Sequence, residues 1–153
     1  MTTVQFTGNR NIRPARPDDY VGICSLLQAS HLPTQDLLLT RLEHFAVCVI
    51  DESLVGVIGL EVYGSQALVR SLAVAQQARS QGIAACLASY AQTRALSMGV
   101  CTLFALTTTA QTWLEKQGYA VLDRAQVPDV IRSSAQFREL CPASAVCLAK
   151  SIA

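Results

Sequence analysis

Arg79-Ser80-Gln81-Gly82-Ile83-Ala84 is the stretch where residue type and spacing point most directly to chemistry. It fits the pattern Arg/Gln-x-x-Gly-x-Gly/Ala, after an apolar strand and at the opening of a helix. Such a junction binds anions. A helix start presents backbone N–H groups without internal partners, together with a partial positive charge. Gly82 lets a phosphate approach the backbone, and the small Ala84 keeps the first turn uncluttered. Arg79 can add charge-assisted bonds to the same phosphates. Short Gly/Ala patterns also occur in plain loops, so the flanking elements carry the weight. No competing G-x-x-x-x-G-K-[ST] or G-x-G-x-x-G run occurs in the chain.

Two charged residues interrupt apolar strands. Glu61 ends one, where desolvation would make its carboxylate a better proton acceptor; the alternative is a solvated strand-end Glu. Arg70 lies inside Leu68-Val69-Arg70-Ser71-Leu72, and an arginine so placed is rarely buried without a partner. It either clamps a substrate carboxylate or similar oxyanion, which is the favoured reading, or pairs with Glu61. Thr107 and Thr109 can touch a substrate, although helix capping also accounts for them. His31 and His44 read as surface or capping residues and Trp113 as core. Arg132 and Ser133 read as a solvated face.

The elements that must position these residues follow from the apolar pattern. Asn11 to Ala15 is a short strand, and Asp18 and Asp19 can cap a helix carrying Val21, Ile23, Leu26 and Leu27. A second short helix holds Leu37, Leu38, Leu39 and Leu42. Strands over 46–50, 54–62 and 67–74, joined by short polar turns, form an antiparallel meander. A helix from Gly82 to Met98 carries small residues on one stripe, and Gly99 ends it. A strand over 100–106 follows, then a helix capped from Thr107 to Thr109 and closed by Gly118. A strand over 119–122, a helical stretch from Pro128 toward Leu140 and a strand over 143–149 complete the chain.

The 153 residues suit one domain spanning 1–153. A hydrophobic share of 51% against 15% charged excludes disorder and favours strands covered on both faces. Twelve Lys+Arg stand against eleven Asp+Glu, without a basic stripe, so nucleic acid is not an expected partner. The start of the chain is polar, and no apolar run reaches membrane-spanning length, so neither export nor a membrane is expected. The six cysteines are scattered and mostly in apolar segments. They read as reduced core thiols of a cytoplasmic protein, with no metal site.

The element order and the segment from Ser71 to Ala84 resemble the GNAT acetyltransferase superfamily. Further stretches resemble its arsenic-resistance-associated N-acetyltransferase branch, itself similar to the acetyltransferase module of N-acetylglutamate synthases. They are 59–64, 69–74, Leu106-Thr107-Thr108-Thr109-Ala110 and 137–145. The resemblance covers about Ile12 to Ile152. It implies an α/β fold with a mixed, mostly antiparallel sheet, helices on both faces, and a splayed parallel strand pair holding acetyl-CoA.

On this resemblance, backbone groups of Leu72, Ala73 and Val74 would bond the pantetheine arm and polarise the thioester carbonyl. N–H groups from Gln81 through Gly82, Ile83 and Ala84 to Ala85 would hold the pyrophosphate. Glu61 is the candidate base for a small amine, which attacks directly. Many relatives protonate the sulfur with a Tyr ahead of a Gly-Phe/Tyr pair; aligned on Gly118-Tyr119, that position is Leu114. The expectation is an acetyl-CoA-dependent N-acetyltransferase, possible as a homodimer, acting on an amino-acid-like amine. The alternative is a non-catalytic acyl-CoA-binding sensor, which Leu114 favours.

Overall fold

The computed structural model describes residues 9–37, 39–140 and 144–153. Among them, seven strands form one sheet: β1 (Arg10–Pro14), β2 (Phe45–Ile50), β3 (Ser53–Tyr63), β4 (Gln66–Val74), β5 (Thr102–Thr107), β6 (Ala120–Leu122) and β7 (Val146–Ser151), in the order β1-β2-β3-β4-β5-β7-β6. The helices are α1 (Tyr20–Ala29), α2 (Ile83–Ser97), α3 (Gln111–Lys116) and α4 (Asp129–Arg132). β1 with β2, β2 with β3, β5 with β7 and β6 with β7 are antiparallel, whereas β4 and β5 are parallel. The expected mixed, mostly antiparallel sheet is what forms.

The chain divides into two compact units, Met1–Gly59 with Ser71–Ala91, and Leu60–Arg70 with Gln92–Ala153. In the first, successive residues of β3 show how a strand is covered on both faces. A carbon added to Gly56 would meet Leu87 Cδ1 at 2.9 Å and Ile83 Cγ2 at 3.2 Å, both on α2. Next to it, Val57 packs with Ile23, Leu26 and Leu27 of α1. Side chains alternate across a strand, so the two helices lie on opposite faces. Gly59, on the α1 face, leaves its space to the Phe45 ring, whose Cζ would stand 2.4 Å from an added carbon.

In the second unit, Leu68 of β4 and Phe104 of β5 share a core with Val127, Ile131 and Cys147. Burial pushes the Cys147 thiol up to about 11, so it behaves as a small hydrophobe. Arg124 caps this core: its Nη2 donates to the Ala145 carbonyl at 2.7 Å, and its guanidinium lies over the Phe137 ring.

Four local expectations are corrected. Asp19 does not cap α1; its carboxylate turns back to accept from both Arg13 nitrogens, at 2.7 and 3.0 Å, and from the Arg16 N–H at 2.7 Å. An ion pair with two guanidinium donors, joined by one backbone N–H, outweighs a single capping bond. The stretch after Pro128 is not one helix: α4 ends at Arg132, and a π-helical segment covers Gln136–Leu140. Here the Ser134 hydroxyl accepts from the Phe137 N–H at 3.3 Å, competing with the helical ladder. Leucine spacing near residue 40 gives only a 3₁₀ segment, Leu39–His44. Of the five described cysteines, all free, only Cys48 and Cys147 are buried, while Cys86 and Cys101 are exposed. Cys86 lies off the buried α2 stripe of Ile83, Leu87, Ala91 and Ala95. Leu38, Cys141 and Ala143 lie outside the described residues. No helix among the described residues is long and apolar enough to cross a membrane.

Candidate active site

The junction expected to hold a phosphate runs from the end of β4 to the start of α2. β4 ends at Val74, a short 3₁₀ turn (Gln76–Ala78) follows, and α2 opens at Ile83. Between them Ser80 and Gly82 both take the left-handed conformation, φ 65° and 78°. Two such residues in a three-residue span turn the chain sharply into the helix, and glycine does so without steric cost. A side-chain carbon on Gly82 would have no neighbour closer than Arg10 Nη1 at 3.9 Å, so the backbone here is open to a ligand. Fifteen residues of α2 then align their peptide dipoles behind it.

Two arginines reach this junction. The Arg79 Nε–H donates to the Val74 carbonyl at 3.1 Å, tying the loop to the end of β4. Arg10, at the start of β1, is the guanidinium that lies on the loop. Its Nη2 donates to the Gln81 carbonyl, and its Nη1 lies 4.0 Å from Cys86 Sγ. No sequence signal marks Arg10, because the contact spans 71 positions.

Upstream, β4 carries a local break. Ser71 has φ 58° in the middle of the strand, a conformation costing an L-residue about 1–2 kcal/mol. Pairing between β4 and β5 runs from Gln66 opposite Thr102 to Val69 opposite Ala105, just before this residue. Leu72, Ala73 and Val74, the expected pantetheine contacts, follow the break directly, with Ala73 buried against the α1 core.

In the other unit, β3 and β4 bring Glu61 and Arg70 together. Arg70 Nη1 lies 3.3 Å from Glu61 Oε2, and the two side chains retain only 2% and 10% of their exposure. The Tyr63 hydroxyl donates to Glu61 Oε1 at 2.8 Å. The carboxylate is thus held from both oxygens, which fixes its orientation. The sequence reading does not single out Tyr63, although its position two residues beyond Glu61, on the same strand face, is the signal that could have.

Thr107 closes β5, and its Oγ1 accepts from the N–H groups of Thr109 (3.2 Å) and Ala110 (2.8 Å). The cap residue of α3 is therefore Ala110, and Thr107 organises the turn ahead of it. Thr109 is exposed. Leu114 is buried, and Trp113 is half-buried. Tyr119 is also buried, which pushes its phenol up to about 12. His31 is exposed; Arg132 pairs with Asp129 on the surface.

Residues 41–121, more than half of the chain, match the model of the acetyltransferase (GNAT) domain. The chain belongs to the GNAT acetyltransferase family. Its fold agrees. N-acetylglutamate synthase from Neisseria gonorrhoeae, solved with coenzyme A and N-acetyl-glutamate, superposes with a TM-score of 0.83 at 21% identity. The match covers 95% of this chain and 35% of that one, so the GNAT chain described here spans about a third of the synthase's length. A Mycobacterium tuberculosis protein solved with CoA gives 0.77 at 18% identity, over 92% of this chain and 98% of that one. A GNAT-family acetyltransferase from Staphylococcus aureus Mu50 gives 0.77 at 14%, over 95% and 100%. No curated protein matches the sequence.

Proposed function

We propose that this GNAT chain moves the acetyl group of acetyl-CoA to the amino group of a small, amino-acid-like substrate bearing an oxyanion. The observation that carries the reading is the open, left-handed Gly82 at the head of α2, in a chain of a CoA-using family. A phosphate can reach those N–H groups without displacing a side chain. The amino-acid-like substrate draws support from the Neisseria synthases, solved with N-acetyl-glutamate or with L-arginine. The branch resemblance adds toxic arsenic-containing amino acids to the candidates.

In this reading Leu72, Ala73 and Val74 offer backbone groups to the pantetheine arm, and 81–85 hold the pyrophosphate. Glu61 takes a proton from the substrate ammonium, leaving a neutral amine. Its nitrogen attacks the thioester carbonyl carbon; the C–N bond forms, the C–S bond breaks, CoA departs as a thiolate, and the second proton shed by the nitrogen passes through water to the sulfur. Arg70 and Tyr63 orient Glu61, as their contacts support. Thr107 and Thr109 are proposed to line the amine side. The protein acts in the cytosol, where its thiols stay reduced.

A second reading, an acyl-CoA sensor without turnover, is favoured by one feature: Leu114 is buried and can donate no proton to sulfur. Release of CoA thiol from acetyl-CoA, measured across free amino acids and their phosphinate and arsinate analogues, separates the two. Turnover confined to anionic α-amines is expected. Silence across the panel, with acetyl-CoA still bound tightly in calorimetry, would replace the enzyme with the sensor.

A further inference from the structure

We infer that Arg10 is a phosphate-contacting residue of the cofactor site, so that β1 supplies the guanidinium that the loop motif assigns to Arg79. The inference rests on the acetyl-CoA reading above and names a residue that the loop motif does not contain. Three contacts place it. Arg10 Nη2 donates to the Gln81 carbonyl, Nη1 lies 4.0 Å from Cys86 Sγ in the first turn of α2, and Nη1 is also the nearest atom to the open side of Gly82, at 3.9 Å from an added carbon. A guanidinium carries five N–H donors in a planar fork, so one bond to a carbonyl can coexist with bonds to a phosphate. Arg79, by contrast, directs its Nε–H at the Val74 carbonyl.

The chemistry selects the ligand class. Arg10 is solvent-exposed, and it stands where backbone N–H groups and the α2 dipole already concentrate positive potential. Like-signed groups gathered at an open backbone are stabilised by an anion with several negative oxygens. In acetyl-CoA those oxygens belong to the pyrophosphate or to the 3′-phosphate. Either phosphate satisfies the geometry.

The test is calorimetry of the full chain with acetyl-CoA, 3′-dephospho-acetyl-CoA and S-acetyl-pantetheine, for wild type and for Arg10→Ala, Arg10→Gln and Arg10→Lys, at low and high salt. Arg10→Ala should weaken acetyl-CoA by roughly 5- to 20-fold, a modest loss because the site is exposed. The loss should shrink as salt rises, since an exposed charge pair is screened. Arg10→Lys should recover part of the affinity. Arg10→Gln, which keeps a donor for the Gln81 carbonyl but no charge, should not. Acetyl-pantetheine should bind all four proteins alike. A penalty that persists with the dephospho analogue assigns the pyrophosphate, and one that vanishes assigns the 3′-phosphate. Affinity for acetyl-CoA unchanged within twofold in Arg10→Ala overturns the inference and leaves the acetyl-CoA reading standing. So does a loss that Arg10→Gln restores and that salt does not alter, because Arg10 would then merely hold the loop. Wild type that fails to bind acetyl-CoA overturns both.

Discussion

Replacing Arg70 by methionine tests whether the charged pair in the strands serves the fold or the substrate. The change removes the charge but keeps the length of the apolar stem. It strands the Glu61 carboxylate, whose side chain is only 10% exposed beside a guanidinium that is 2% exposed. Breaking one side of a buried ion pair usually costs 3–5 kcal/mol. The 3.3 Å separation is long for a charge-assisted bond, and Tyr63 still donates to Glu61. Both facts favour the low end, about 3 kcal/mol. For a chain of this length that is a fall in Tm of roughly 6–12 °C. Urea unfolding followed by circular dichroism reads it. Glu61→Leu combined with Arg70→Met should regain most of the loss, because neither charge is then buried, yet turnover should stay absent without the base. A loss below about 1 kcal/mol, with KM for an anionic amine raised tenfold and kcat kept, would refute the structural reasoning and make Arg70 the substrate clamp.

Other perturbations probe separate parts of the molecule. Gly82→Glu should abolish measurable acetyl-CoA binding in calorimetry, since it brings a carboxylate to the phosphate position and forces a side chain into φ 78°; retained affinity would remove the cofactor assignment. Gly59→Ala should destabilise by about 1–3 kcal/mol in denaturant melts, because the Phe45 ring occupies the space of the new methyl group. Adding Phe45→Leu should return part of that loss. Asp19→Asn should cost about 1 kcal/mol near pH 7. The hydrogen bonds from Arg13 hold the Asp19 carboxyl below its ordinary value of 3.8, so its contribution is present above that pH and disappears as acid protonates the folded state. Melts of variant and wild type should therefore converge once the pH has fallen through the lowered pKa of folded Asp19, and a constant difference across pH would contradict the ion pair.

Much of this protein was legible before any coordinates. Apolar runs broken by Asp51-Glu52-Ser53 and Tyr63-Gly64-Ser65 place β2, β3 and β4 within a residue or so, because a strand buried on both faces needs a continuous apolar stretch. Gly82 marks the left-handed turn into α2, since such a turn depends on local backbone geometry written in neighbouring residues. What depends on distant residues was not legible. Arg10 reaches Gln81 only because β1 lies along β2 at the edge of the sheet, and no local pattern encodes that pairing. Asp19 abandons its helix for Arg13 because a bidentate ion pair outbids a cap, a choice made only once both side chains are brought together. Arg70 and Glu61 left two readings open in the sequence, and burial beside one another brought them into contact. Local chemistry belongs to the sequence; the choice of partner belongs to the tertiary structure, because only folding sets which charges must share a space without water.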